Sequence, residues 1–235
     1  TFLKPLVGLL GTDQPFFAVQ PAGVSGEGRL LYRIEDLARL HVEEFLSVSP
    51  EGPIDLIGHC GGARVAFEIS RQLRERGCEI ANFIVIDTHP PLARKNLKIK
   101  TRRQSQDRGR LRRYRPRHFA RGVFRMARRN ATLGWAYLTS NEELRRAVRV
   151  DMIERACIIA DNAYRAEKYP SEIVVLHTQD SPLLSYDWDP IAQHVRHKTL
   201  AIGHYTMFFE PDVQTLCAEI ERWCSVEDED IRANS

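Results

Sequence analysis

Apolar residues run along this chain in two rhythms. Four short runs, Ile54 to Ile57, Phe83 to Ile86, Ile173 to His177 and Thr199 to Ile202, are apolar enough to read as strands buried on both faces. Between them the spacing turns helical. Leu37, Leu40, Val42, Phe45 and Leu46 mark one helix, and Val65, Ile69 and Leu73 lie on one face of a second that Gly77 closes. Leu144, Val148, Met152, Ile153, Cys157 and Ala160 stripe a third, over 142–164, and 213–223 forms a closing helix. Residues 1–10 read as the end of a helix stopped by Gly11, and Pro15 to Val19 as a short strand. Residues 15–87 thus predict β, α, β, α, β with short loops. That order calls for an α/β fold with a mostly parallel sheet and helices on both faces.

One junction in this pattern carries chemistry. Gly58-His59-Cys60-Gly61-Gly62 sits between a strand and a helix, and matches the nucleophile-elbow pattern G-x-S-x-G with Cys in the Ser position. A sharp turn there predicts strain at Cys60 and glycines where a Cβ would crowd strand or helix. It also sets Cys60 at a helix N-terminus, where the dipole and free N–H groups favour a thiolate and an oxyanion. An elbow nucleophile needs an acid and then a His further along the chain. Asp87 ends the next strand, and Asp180 follows a later one; both remain possible acids. His204, in a turn between the last strand and the last helix, is the expected base. Gly61 N–H is one expected oxyanion donor. His59 and His89 are expected to support these residues or hinge a lid. His177, His194 and His197 read as structural or exposed. The His194/His197 pair has a metal-like spacing but no third ligand, so no metal is expected.

Charge changes the picture in one place. Residues 94–129 hold sixteen Lys and Arg against a single acid, Asp107, so the net charge of +3 hides an acidic body with a basic insert. Phe119, Val123 and Met126 give part of that insert helical spacing. It falls where such folds carry lids, so it reads as a charged lid or a docking face for an acidic partner rather than as a nucleic-acid patch. Five Cys with no paired spacing, no membrane-length apolar run and no export signal fit a reduced cytoplasmic chain.

The motifs together resemble a known family. Residues 50–62, then Val65-Ala66-Phe67-Glu68 and 71–77, are similar to the thioesterase domains that end nonribosomal peptide and polyketide synthetases. So are residues 11–17, Gln20-Pro21-Ala22-Gly23, 163–170, Ile173 to Leu176, and Gly203-His204-Tyr205-Thr206-Met207 with Pro211. The resemblance implies an α/β-hydrolase fold: core at 1–89, basic helical lid at 90–168 and core again, with an acidic tail, at 169–235. It favours Asp87 over Asp180 as the acid. It implies an enzyme without a bound cofactor, a monomeric domain of a larger synthetase. The upstream carrier domain would deliver a peptidyl or acyl chain on phosphopantetheine, with no nucleic acid or membrane involved. Cys60 would hold the chain and release it by cyclisation or hydrolysis. A free-standing editing thioesterase and a non-catalytic binding module are the alternatives. The family's first strand and oxyanion loop would precede residue 1, so no second oxyanion donor is named. The family usually has Ser where this chain has Cys60, which is either natural or a replacement.

Overall fold

The computed structural model describes residues 2–12, 15–24, 30–48, 52–91, 142–181, 188 and 190–224. The basic stretch at 94–129, with Phe119, Val123 and Met126, and the acidic tail lie outside these. The chain divides into two compact units. The first comprises residues 1–19, 34–97 and 164–235, and the second residues 20–33 and 98–163.

The first unit is built on a parallel sheet. Its elements are α1 (Lys4–Leu9), α2 (Ile34–Ser47), β1 (Ile54–His59), α3 (Gly62–Glu75) and β2 (Ile80–Ile86). After α4 (Glu142–Ala163), which belongs to the second unit, come β3 (Tyr169–Thr178), β4 (Ala192–Leu200) and α5 (Asp212–Cys224). The strands lie in the order β1-β2-β3-β4, and each adjacent pair is parallel. His59 pairs with Ile86, and Ile86 with Leu176, so the carboxyl ends of β1 and β2 and the final third of β3 come level.

Period-two alternation decides which helix covers which face. Ile84 and Ile86 of β2 join Val174 and Leu176 of β3 in a core with Leu6 of α1 and Val213, Leu216 and Ile220 of α5. Phe83, between them in sequence, points the other way. Its ring lies 6.1 Å from Phe67 of α3 and 5.3 Å from Tyr169, and Phe67 and Tyr169 are 5.4 Å apart. Helices therefore clothe both faces, as the element order requires. On the α3 side the core includes a carboxylate, Glu68, only 2% exposed. Burial works to raise its pKa, but hydrogen bonds from Arg71, Gln72 and Tyr164 outweigh that and hold it low.

Three sequence expectations change. Residues 15–19 form no strand: Phe16, Phe17 and Val19 are exposed, and Phe17 rests edge-on against Phe45 of α2. β3 starts at Tyr169, before Pro170, because the register shifts between Tyr169 and Glu172 and an irregularity there accommodates a residue with no N–H to give. β4 begins at Ala192 and ends at Leu200, earlier than the apolar run suggested. It lies at the end of the strand order, and its Gln193, His194, His197 and Lys198 are exposed, so its polar sequence suits an edge and hides it from a search for apolar runs.

In the second unit, α4 buries Val148, Ile153, Ala156 and Ala160 at helical spacing, and Arg149 donates to the carbonyl of Gly23 at 3.4 Å. Met152 and Cys157 of the expected stripe are only partly buried.

Phe67→Ala should remove the ring that joins α3 to the sheet and cost about 3–5 kcal/mol. Urea unfolding of the two proteins measures it; a loss under about 1 kcal/mol would mean the three-ring cluster is not core.

Candidate active site

A strand, a tight turn and a helix meet at Cys60. Cys60 follows β1 directly with φ 49°, a left-handed conformation that a non-glycine residue adopts at a cost of about 1–3 kcal/mol. Its N–H still donates to the carbonyl of Ile86 at 3.1 Å, so the turn is pinned to β2. The side chain is exposed. Gly61 caps α3, which opens at Gly62. Close approach explains Gly58: a Cβ there would meet Ala63 Cα at 2.6 Å and Ala66 Cβ at 3.0 Å. It does not explain Gly62, where a Cβ would meet nothing within 4 Å among the described residues. Among the described residues, the crowding expected on both sides of Cys60 is found only on the strand side.

Asp87 ends β2, almost wholly buried at 1% exposure, and it too is left-handed, with φ 46°. Its Oδ2 accepts from Thr178 Oγ1 at 3.0 Å and pairs with Nδ1 of His204. Its Oδ1 accepts from the N–H of Thr178 at 3.4 Å. Burial pushes this carboxyl up, and hydrogen bonds from Ser181, His204 and Thr178 overcome it, holding Asp87 below the usual carboxylate range. With Nδ1 on Asp87, Nε2 is the nitrogen of His204 left for other chemistry. Among the described residues no hydrogen bond joins Cys60 Sγ to His204. What links the two is His59, next to Cys60 in the chain, whose ring lies 5.4 Å from that of His204.

His59 is half-buried, its enclosed Nε2 has no hydrogen-bond partner among the described residues, and Phe208 packs against its ring at 4.9 Å. Burial, then the neighbouring His204, lower its pKa to about 4, so it is a neutral neighbour of the His204 ring. His89 pairs with Arg64 of α3. Asp180 does not meet the imidazole of His204; its Oδ1 accepts that residue's backbone N–H at 3.2 Å. His177 stacks on His197, with Nε2 and Nδ1 3.0 Å apart. His194 and His197, three apart on β4, fall on opposite faces, so their spacing cannot chelate. Among the described residues no group of three His, Cys, Asp or Glu could hold a metal, and no helix is long and apolar enough to cross a membrane. Sequence reasoning missed Thr178 and Ser181, two hydroxyl residues flanking the end of a strand beside a candidate acid.

A parallel sheet covered on both faces, with an elbow and an Asp–His pair at the carboxyl ends of its strands, defines the class: an α/β-hydrolase-type domain. The thioesterase domain profile matches residues 4–152, and the chain belongs to that family. Chondramide synthase of Chondromyces crocatus is 38% identical over 93 residues, covering 38% of this chain and 2% of the relative. Indigoidine synthase of Streptomyces lavendulae is 36% identical over 93 residues, covering 39% and 7%. The match thus spans a small fraction of either relative's length. Solved structures that share the fold include the following two. A four-domain nonribosomal peptide synthetase bound to AMP and glycine aligns with TM-score 0.68 at 22% identity, over 97% of this chain and 19% of the other. The RedJ thioesterase from the prodiginine pathway of Streptomyces coelicolor aligns with TM-score 0.58 at 19% identity, over 94% and 80%.

Two expectations follow. Gly58→Ala should destabilise by about 1–3 kcal/mol, while Gly62→Ala, with open space at a helical position, should be neutral or stabilising by up to about 1 kcal/mol. Equal melting temperatures for the two variants would refute the one-sided crowding. Neutral His59 is favoured in the folded state, with a pKa of about 4 against 6.5 in a model environment. Its contribution is therefore complete above pH 6.5 and is lost as pH falls towards 4, by about 3 kcal/mol at most. Urea midpoints at pH 7 and pH 4.5 should differ less in His59→Gln than in the wild type; an equal difference would show that His59 does not titrate in that window.

Proposed function

We propose that this domain is the chain-releasing thioesterase of a larger peptide or polyketide synthetase, acting through Cys60, His204 and Asp87. The observation that carries it is the left-handed elbow at Cys60, whose chain neighbour His59 lies 5.4 Å from a His204 ring with its Nδ1 committed to buried Asp87. Membership of the thioesterase family and the synthetases among its relatives support the substrate class.

In the first half-reaction His204 Nε2 takes the thiol proton as Cys60 Sγ attacks the thioester carbonyl of a peptidyl or acyl chain. That chain arrives on the phosphopantetheine of an upstream carrier domain. The oxyanion is received by Gly61 N–H at the start of α3, and Asp87 stabilises the imidazolium. The intermediate collapses by breaking the bond to the pantetheine sulfur, which takes the proton from His204. In the second half an amine or hydroxyl of the chain itself, or water, gives its proton to His204 and attacks the acyl-Cys60 carbonyl. The Cys60 thiolate leaves and is reprotonated.

A thiol nucleophile exchanges one thioester for another, so acylation is close to thermoneutral and the acyl group stays activated. That favours release by the chain's own nucleophile, giving a ring, over release by water. No cofactor is needed. The sixteen bases between 94 and 129 suit an acidic carrier domain. The domain is read as cytoplasmic and monomeric within its synthetase.

Intact-protein mass spectrometry after incubation with an acyl pantetheine thioester tests the proposal. The acyl mass should appear on the wild type, vanish in Cys60→Ala and form at least about a hundredfold more slowly in His204→Ala. Equal labelling of the wild type and Cys60→Ala would overturn it.

A further inference from the structure

The turn that follows β3 touches both partners of the Asp87–His204 pair. It is closed by Ser181 N–H donating to the carbonyl of Thr178 at 3.1 Å. Its first residue, Thr178, binds both oxygens of Asp87, and its last, Ser181, adds a side-chain hydrogen bond to the same carboxylate. Its second residue, Gln179, donates its N–H to the carbonyl of Ile202 at 3.2 Å, just ahead of the His204 loop. Asp180, between them, reaches the other way, and its Oδ1 accepts the backbone N–H of His204 at 3.2 Å.

The His204 loop is also fixed within itself, by the N–H groups of Thr206 and Met207 donating to the Gly203 carbonyl at 3.3 and 3.0 Å. Asp212 Oδ2 accepts the N–H of Gly203 at 3.3 Å and the hydroxyl of Thr206. A Cβ at Gly203 would come within 2.8 Å of Thr206 Oγ1 and 3.6 Å of Asp180 Oδ2, so the two carboxylates close on the loop around a residue without a side chain. His204 itself is held at two atoms by two different acids: its ring by Asp87 and its main chain by Asp180. A ring pinned only at Nδ1 could still swing with its backbone. Pinning the main chain as well fixes where Nε2 points.

We propose that Asp180 is a positioning residue for the base, its carboxylate accepting the His204 N–H and so fixing the imidazole between Asp87 and the elbow. This rests on the reading of His204 as the base. Asp180 is exposed and makes its contact through one oxygen, so its role is geometric, and a neutral acceptor of the same shape suffices.

The test is the acylation rate of Cys60 by an acyl pantetheine thioester, followed by mass spectrometry over a range of thioester concentrations. Asp180→Ala should slow the saturating rate about tenfold with little change in the concentration for half-saturation, the signature of a displaced reacting group rather than weakened binding. Asp180→Asn, whose amide oxygen still accepts, should return to within about threefold of wild type. Asp180→Ser, too short to reach, should behave like Asp180→Ala. All three should melt near the wild-type temperature, so that slowing with normal melting reports position and not unfolding. A wild-type rate in Asp180→Ala, with His204→Ala inactive, overturns the positioning role and leaves the base standing. Equal slowing in the Asn and Ala variants also overturns it, since the acceptor geometry would not be what matters. A wild-type rate in His204→Ala overturns the assignment of the base itself.

Discussion

A carboxylate with 1% exposure at the end of β2 is the constraint around which the site is arranged. Asp87 can stay charged in that position only if donors replace the water it loses. Most of those donors come from the end of β3 and the turn beyond it, where Thr178 supplies both a hydroxyl and an N–H and Ser181 adds a side-chain bond. The parallel register makes this possible, because Ile86 pairs with Leu176 and the two strand ends stay in step. Satisfying Asp87 in this way leaves its Oδ2 also bound to His204 Nδ1, and that commitment fixes which nitrogen of the imidazole remains for chemistry.

The same register explains how two strained residues persist. Cys60 and Asp87 are both left-handed, one at the end of β1 and the other at the end of β2. Neither loses its ladder bond. Cys60 N–H reaches Ile86, Asp87 N–H reaches Leu176, and Gln179 N–H reaches Ile202. Each chain is thus tied to the next one across the sheet at the point where it leaves the strand. The ladder bonds offset backbone strain, and the strain turns the side chains out of the pleat towards a common end.

Much of this was legible in the sequence, for identifiable reasons. The second half of β2 and the later part of β3 are buried on both faces and so read as continuous apolar runs, β1 is apolar but only partly buried, with Asp55 exposed, and α3 carries a one-sided stripe ended by Gly77. The elbow was legible because Gly58 answers a steric demand, a Cβ 2.6 Å from Ala63, that leaves its mark on residue type. Gly62 meets no such demand from the described residues, so the pattern was recognised partly through a residue whose packing against them does not require it. β4 was misplaced because an edge strand needs little apolar sequence, and Pro15 to Val19 was misread because β-propensity without a neighbouring strand makes nothing.

Least legible was the second acid. Asp87 and Asp180 each follow a strand, and sequence alone ranked them as competitors for one imidazole. Their burial separates them. Asp87 is enclosed and must find a charged or polar partner at the ring, whereas Asp180 is exposed and accepts a main-chain N–H. A strand-end carboxylate can therefore serve a histidine in two ways, and the choice depends on how deep the turn beyond the strand lies. That depth is set by the hydroxyls of Thr178 and Ser181, which draw the start and end of the turn onto Asp87 and leave Asp180 facing the His204 backbone. One turn thus carries both the donors that satisfy Asp87 and the acceptor that meets the His204 backbone.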